Sequence, residues 1–253
     1  MKNQYFGDIG DFGKYAILRY LADSGISIGI NWYLTDRDES NDGKMTKYLV
    51  KKEADFRHLD TELFDTLKKL VIDNNQRDVI ASEEFDIVRN AVYYHDLLDI
   101  SSFPDIATKK EFRKQWHERA LYALNNAELV YFDPDNGITD QNVSAKKNSV
   151  KYLLTVEAAD YYYAGHNLVY YCHKGRRKSD LWEKYKGILK GSKKSAIPSE
   201  AKLIALTYHR GVQRSFIFAI HPEDYERYHS LLTAFTNKWN DHFDWEPIAT
   251  EHY

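Results

Sequence analysis

The sequence predicts an α/β fold in which one mostly parallel sheet carries helices on both faces and ends in an antiparallel C-terminal hairpin. Apolar runs rich in β-branched and aromatic residues alternate with segments of helical periodicity, which is typical of repeated βαβ units. Near the C-terminus, a short turn separates two such runs, AKLIALTY and RSFIFAI, which indicates an antiparallel pair at one edge. A length of 253 residues and a hydrophobic content of 43% suit one domain with a sizeable core.

The individual elements follow from the spacing of apolar residues along the chain. Buried β-branched and aromatic runs predict strands at residues 26–34, 91–98, 128–132, 167–172, 202–207 and 215–220, with a shorter strand at 79–80. Helical spacing predicts helices at residues 14–22, 44–75, 112–125, 149–163, 180–189 and 223–240. Because no stretch is a convincing linker, we predict a single α/β domain over residues 1–253, with room for a small helical insertion around residues 99–125.

Composition narrows the functional classes. The formal net charge of −3 provides no global attraction to nucleic acid or membranes, so any such binding must be local. The single Cys172 excludes an intramolecular disulfide framework and a cysteine-rich zinc site, and it suits a reducing cytoplasm. No apolar run approaches the roughly 18 residues of a spanning helix, and the N-terminus lacks the apolar region of a secretory signal. We therefore expect a cytoplasmic protein with no membrane partner.

The stretch YFDPDNGI, residues 131–138, is the strongest candidate site. It follows a predicted buried strand, and carboxylates at such strand ends face the ligand crevice of open α/β sheets. Asp133, Asp135 and Asn136 are therefore candidate catalytic residues, and we expect Asp133 to be solvated. The alternative is a plain turn, since Asp, Pro, Asn and Gly are all turn-forming residues.

An acidic loop, TDRDESNDG, follows the first predicted strand. Its carboxylates could accept hydrogen bonds from ribose hydroxyls or an amino group, whereas they would repel phosphate in the absence of a metal ion. The candidate binding residues are Asp36, Asp38 and Gly43. A solvated acidic loop is the alternative, and the spacing lacks the terminal Glu of a calcium loop.

The stretch GDIGDFGK, residues 7–14, precedes the first predicted strand. Its three glycines allow close backbone approach, and Asp11 is positioned to cap the helix that Lys14 enters. A lysine beside the carboxylates of Asp8 and Asp11 could hold a ligand carboxylate or phosphate as a point charge. Helix capping alone is the alternative interpretation.

A basic stretch covers residues 172–194, with nine Lys or Arg residues against two acidic ones. Such a local concentration favours phosphate backbones, so RNA or DNA is a predicted partner. Within it, the candidate contacts are Lys174, Arg176, Arg177 and Lys178. A solvated charged face is the alternative.

The order of these features resembles the Rossmann-like, S-adenosylmethionine-dependent methyltransferases, and among them the bacterial ribosomal-RNA adenine-N6 methyltransferases. That family begins with an aromatic residue and G-N-x-x-D-x-x-K-H, and it carries D-P-P-Y after a later strand. The positions that match the first motif are Tyr5, Asp8, Asp11, Lys14 and Tyr15. The D-P-P-Y position is occupied by D-P-D-N, residues 133–136, and the family's glycine-rich loop D-x-x-A-G-x-G by LTDRDESNDG.

The resemblance implies a methyltransferase-type sheet, with S-adenosylmethionine held by a set of six residues: Asp11, Lys14, Tyr15, Asp36, Asp38 and Gly43. It implies that Tyr5 and Asp8 lie near the acceptor and that Asp133 orients the target amine. The leading hypothesis is therefore methyl transfer to a nucleic acid or nucleotide-like acceptor. One alternative is a nuclease that uses Asp133 and Asp135 to bind Mg²⁺ or Mn²⁺ for phosphodiester hydrolysis. The other is a non-catalytic, nucleic-acid-binding relative of the same fold.

Overall fold

The computed structural model describes residues 1–36, 43–139, 146, 148–173 and 197–247. The strands in this part of the chain are β1 (Ile28–Asn31), β2 (Val92–Tyr94), β3 (Leu129–Phe132), β4 (Ile138–Thr139), β5 (Leu153–Leu154), β6 (Asn167–His173), β7 (Lys202–Tyr208), β8 (Arg214–Ile220) and β9 (Phe243–Pro247). The helices are α1 (Ile9–Asp23), α2 (Tyr48–Lys51), α3 (Glu53–Phe56), α4 (Thr61–Lys68), α5 (Ile80–Glu84), α6 (Ile106–Ala123), α7 (Thr155–Tyr163) and α8 (Tyr225–Lys238). None of these helices combines the length and apolar character needed to cross a membrane.

Seven of the strands form one sheet in the order β2-β1-β3-β6-β8-β7-β9. Strands β2, β1, β3 and β6 pair in parallel, whereas β8 runs antiparallel to both β6 and β7. Strand β9 then pairs antiparallel with β7 at the edge. The predicted fold is confirmed: the sheet is mostly parallel, the C-terminal hairpin is antiparallel, and the arrangement is a Rossmann-like α/β fold.

Helices cover both faces of the sheet because successive residues of each strand point to opposite sides. Leu129 and Tyr131 of β3 join a core with residues of α1, α4 and α8, whereas Val130 and Phe132 join a second core with residues of α6 and α7. Both faces of β3 are thus buried, as expected for a parallel strand between two helical layers. Helix α6, in the range where an insertion was expected, connects β2 to β3 and contributes to the second core.

Several local predictions differ from the structure. The strand predicted at 79–80 is wrong: Asp78 Oδ1 accepts a hydrogen bond from the Ile80 N–H, and the chain enters α5 there. The helix predicted over 149–163 begins only at Thr155, because Leu153–Leu154 pairs with β4 instead. Strand β9 was not predicted. The helix predicted at 180–189 lies outside the described residues.

Candidate functional site

The candidate site lies where the strand order reverses. Strand β2 lies on one side of β1 and β3 on the other, so the carboxyl ends of β1 and β3 border a topological switch point. In open α/β sheets, ligands bind in the crevice at such a point. Asp133 directly follows β3, and its N–H donates to the carbonyl oxygen of Asn31, the last residue of β1, at 3.0 Å.

A buried group of four residues, which we call the Lys14 cluster, stands at this point: Asp11, Lys14, Tyr131 and Asp133. Lys14 Nζ lies 2.7 Å from Asp11 Oδ1 and 2.7 Å from Asp133 Oδ2. The Tyr131 hydroxyl donates to the other oxygen of Asp133, Oδ1, at 3.0 Å. The expectation that Asp133 is solvated is wrong, since the residue is only 6% exposed. Its carboxylate is instead held by the lysine and the tyrosine.

Aromatic rings enclose the ammonium group of Lys14. Lys14 Nζ lies 4.7 Å from the centre of the Trp32 ring and 5.3 Å from that of Tyr15. An ammonium near aromatic faces at these distances is stabilised by the ring quadrupoles, more so when water is excluded. Tyr15, a predicted cofactor residue, therefore belongs to the immediate surroundings of Lys14.

Asp8 caps the helix that carries the cluster. Its side-chain Oδ1 accepts hydrogen bonds from the Gly10 N–H at 2.7 Å and the Asp11 N–H at 3.1 Å, the pattern of an N-cap. The prediction that Asp11 is the cap is wrong. Asp11 lies inside the first turn of α1, one turn before Lys14, so its side chain can pair with that lysine and accept from the Gly7 N–H at 2.9 Å.

Two glycines of GDIGDFGK make room for side chains from the hairpin of β7 and β8. A Cβ atom on Gly10 would lie 2.2 Å from Arg214 Cζ, and one on Gly13 would lie 2.8 Å from the Tyr208 ring. The sequence predicted that these glycines allow a close approach to the backbone, and in this structure the groups that approach it are the side chains of Arg214 and Tyr208. Arg214 Nη2 also lies 3.2 Å from Asp8 Oδ2, so the helix start is tied to β8.

The Lys14 cluster holds two carboxylates and one ammonium, and burial together with these charges sets the pKa values of its members. Burial raises the pKa of Asp11 to about 6, with further contributions from Asp8 and Asp133, while Lys14 acts in the opposite direction. Burial alone would lower the pKa of Lys14, but Asp11 and Asp133 more than offset it and raise that pKa. The cluster is thus electrostatically suited to a further positive charge.

The remaining residues of DPDNG point elsewhere. Asp135 Oδ1 lies 3.0 Å from the α-ammonium group of Met1, which also donates to the Asp133 carbonyl oxygen at 2.9 Å. The Asn136 N–H donates to the Lys151 carbonyl oxygen at 2.9 Å, and Asn136 is half-buried. Gly137 has a φ of +87°, so the turn needs glycine there. The motif therefore forms a turn that also presents Asp133 to the cluster.

The other candidates around this edge are less tightly grouped. Asp36 is exposed at the end of the described segment after β1. Tyr5 and Gly43 lie side by side, since a Cβ on Gly43 would be 2.8 Å from Tyr5 Cδ1, and the carbonyl oxygen of Gly43 accepts from Arg77 Nη2. Five predicted site residues lie outside the described part of the chain: Asp38, Lys174, Arg176, Arg177 and Lys178.

Sequence reasoning missed two residues at this edge. Arg214 is the first residue of β8, and because β8 runs antiparallel, its start lies beside the carboxyl ends of the parallel strands. Asp96 follows β2, and its Oδ2 accepts hydrogen bonds from the Tyr94 hydroxyl at 3.0 Å and Arg119 Nε at 3.3 Å. The predicted strand over residues 91–98 contains Asp96, so the argument applied to Asp133, an acid just beyond a strand, did not reach it; the strand in the structure ends at Tyr94.

The acidic side chains of this edge are arranged around cations of the protein. Among the described residues, no group of three or more His, Cys, Asp or Glu side chains is arranged to hold a metal ion. The position between the Asp11 and Asp133 carboxylates is taken by Lys14 Nζ. Asp135 faces Met1 and Lys2 instead, with Oδ2 at 3.9 Å from Lys2 Nζ.

Neither a protein-family model nor a curated protein matches the chain. Its function must therefore be inferred from the fold and from the residues described above.

Proposed function

We propose that the protein transfers a methyl group from S-adenosylmethionine to an amine of a nucleic acid or nucleotide-like acceptor. One observation carries this proposal: GDIGDFGK and DPDNG, the two stretches behind the methyltransferase resemblance, meet at the switch point of the sheet. Lys14 and Asp133 are 119 residues apart in sequence, yet Lys14 Nζ donates to Asp133 Oδ2 at 2.7 Å. Two motifs that are far apart in sequence and meet at a ligand crevice support a shared function.

The residues present are chemically suited to this cofactor. S-adenosylmethionine carries a sulfonium and an ammonium group, and the acid excess of the Lys14 cluster favours such positive charge. Lys14 uses two of its three N–H donors on Asp11 and Asp133, and the third could bind the cofactor's carboxylate. Asp96 is half exposed and could accept hydrogen bonds from ribose hydroxyls. When bound, the cofactor supplies an already activated methyl group.

Asp133 is the residue that would orient the acceptor. Its two oxygens accept from Tyr131 and Lys14, which fixes the plane of the carboxylate, and each carboxylate oxygen can accept a second hydrogen bond. A second lone pair on Oδ1 could therefore hold the acceptor amine and take its proton as the methyl group is transferred. Asp135, which faces Met1 and Lys2, would hold the turn that carries Asp133 rather than contact the acceptor. Catalysis of this kind depends mainly on positioning, so it needs no nucleophilic triad.

Charge compensation favours methyl transfer over the metal-dependent hydrolase. A hydrolase of the kind considered above needs a divalent cation between convergent carboxylates, because hard cations bind carboxylate oxygens. Here Lys14 provides the positive charge between Asp11 and Asp133, and Asp135 is directed to Met1 and Lys2. These partners give each acid a role that requires no metal ion.

A binding and transfer experiment tests the proposal. We expect titration calorimetry to detect S-adenosylmethionine and its demethylated product, and labelled methyl groups to appear in RNA, DNA or mononucleotides incubated with the protein. Asp133→Asn keeps the side-chain shape and should abolish methyl incorporation, while Asp73→Asn, at an exposed aspartate on the turn after α4, should leave it unchanged. Far-UV circular dichroism checks that both variants fold.

Two results would contradict the proposal. Folded wild-type protein that binds neither form of the cofactor at millimolar concentration would exclude the methyltransferase. Cleavage of phosphodiesters that requires Mg²⁺ or Mn²⁺ and no S-adenosylmethionine would establish the hydrolase instead.

A further inference from the structure

A cavity of about 590 Å³ opens at the same edge of the sheet as the Lys14 cluster. It is lined by α3 and the residues on either side of that helix, by the turn between β7 and β8, and by the segment from the end of α8 to β9. The Tyr208 ring separates it from the Lys14 cluster: one side abuts Gly13 of α1, and the ring stacks on His242 of the cavity wall with centroids 6.5 Å apart. The cavity is therefore close to the candidate methyl-transfer site but distinct from it.

The cavity wall carries three permanent cations, Lys52, Arg210 and Lys238, against two acids, Asp55 and Asp241. Among the described residues, none of these three cations forms an ion pair with a carboxylate, in contrast to Lys14, which forms two. The three cations outnumber the two acids by one, so the described lining of the cavity keeps a net positive charge. An anion entering the cavity would meet it directly.

Arg210 is held in position by acceptors that do not cancel its charge. Its Nε donates to His242 Nδ1 at 3.1 Å, and its Nη2 donates to the Asp241 carbonyl oxygen at 2.7 Å. His242 remains a neutral acceptor because burial, reinforced by Arg210, lowers its pKa to about 4. The guanidinium group is therefore pre-oriented, and its Nη1 has no partner among the described residues. A planar fork of this kind matches the oxygens of a phosphate group.

Three backbone oxygens in this part of the wall already accept hydrogen bonds. The Asp241 carbonyl oxygen accepts from Arg210, and that of Trp239 accepts from the N–H groups of His242 and Phe243 at 2.8 and 2.9 Å. The His242 carbonyl oxygen accepts from the His209 N–H at 2.9 Å.

We propose that this cavity binds the phosphate group of a ligand the size of a mononucleotide. Its volume falls within the range of about 300–1,000 Å³ typical of small-molecule sites. Lys52, Arg210 and Lys238 would contact the phosphate, and the carboxylates of Asp55 and Asp241 would accept hydrogen bonds from sugar hydroxyls or a base amino group. The site goes beyond methyl transfer, and its occupancy does not depend on that proposal.

Titration calorimetry with cytidine 5′-monophosphate, cytidine and inorganic phosphate tests this site. Cytidine compounds are chosen because they lack the adenine of S-adenosylmethionine. We expect the monophosphate to bind, phosphate to compete with it, and cytidine to bind at least about tenfold more weakly, because hydrogen bonds to charged groups are among the stronger ones in proteins. The demethylated product of S-adenosylmethionine should not displace the monophosphate.

Variants of lysines inside and outside the cavity test whether the monophosphate binds there. Lys52→Gln combined with Lys238→Gln removes two exposed cavity charges and should weaken binding of the monophosphate at least about tenfold. Lys110→Gln, at an exposed position on α6, should leave the affinity unchanged. Equal binding of cytidine and its monophosphate, no binding of either phosphate compound by the wild type, or an unchanged affinity in the double variant would each overturn the proposal.

Discussion

Replacing Lys14 with methionine should destabilise the protein strongly, and more so as the pH rises. The substitution keeps an unbranched side chain of similar length but removes the only ammonium group within 4 Å of both Asp11 and Asp133 in the described part of the chain. These three residues are 3%, 4% and 6% exposed, so water cannot replace the lost charge. We expect the loss of stability that is typical of a buried carboxylate left without a partner.

The magnitude follows from the burial and the shared partner. Breaking a buried ion pair by removing one member typically costs about 3–5 kcal/mol. A buried carboxyl that loses its partner can take up a proton instead, which limits the cost at lower pH. Asp11 already takes up a proton more readily than an ordinary aspartate, because its pKa is raised to about 6 from 3.8. Its ionisation therefore costs stability as the pH rises through about 6, and that cost should grow without Lys14.

Urea unfolding followed by far-UV circular dichroism measures the effect. At about pH 8, Lys14→Met should lose about 3–5 kcal/mol, and at about pH 5 the loss should be clearly smaller. Lys110→Met, at an exposed site, serves as the control. Combining Lys14→Met with Asp133→Asn should give a coupling of about 1–3 kcal/mol, as for residues in one ion-pair network. A loss below about 1 kcal/mol at the higher pH, or the same loss at both, would refute the reasoning.

Three further outcomes are expected. The pKa of His242 in the folded state is lowered to about 4 from 6.5, so the folded state resists protonation of this residue and stability should fall as the pH drops from about 6.5 toward 4. In urea unfolding at several pH values, His242→Gln should show a smaller loss of stability over this range than the wild type. Gly10→Ala should lower the free energy of unfolding by about 1–3 kcal/mol, because the added Cβ would displace Arg214 from Asp8. Thermal unfolding measures this effect, and an unchanged melting temperature would contradict the close contact between Gly10 and Arg214. Burial raises the pKa of the Cys172 thiol to about 12, so a thiol reagent should label it only on unfolding, and rapid labelling of the native protein would show that it is accessible.

The parts of the fold that could be predicted are those with strong local patterns. Strands β6, β7 and β8 are seven residues each and rich in apolar residues, so their positions are clear from sequence alone. Strand β9 reads FDWEP, with two acids and a proline, and only its pairing with β7 makes it a strand. Helices α2 and α3 are four residues each, too short for periodicity to separate them from their neighbours.

The candidate site was predictable in some of its members but not in its contacts. Composition at strand ends indicated Asp133, and the resemblance indicated Lys14, yet no local pattern could pair residues 119 positions apart. The choice of Asp8 over Asp11 as the helix cap goes with one neighbouring residue and one distant residue. Gly7 adopts a φ of +73°, which turns the chain before α1, and Arg214 arrives from β8 to pair with Asp8. Sequence spacing alone allows either aspartate to cap.

The direction of β8 accounts for the charge balance at this edge. Parallel strands bring their carboxyl ends to one edge, and acids follow three of them here: Asp36 after β1, Asp96 after β2 and Asp133 after β3. Because β8 is reversed, the turn that leads into it brings Arg210 and Arg214 to the same edge. Arg214 compensates Asp8 beside the Lys14 cluster, while Arg210 lines the cavity of about 590 Å³. If β8 were parallel to β6, its first residue, Arg214, would lie at the opposite edge of the sheet. The antiparallel hairpin therefore places basic residues at the edge where the acids lie, and the Tyr208 ring stands between the acidic Lys14 cluster and the basic cavity.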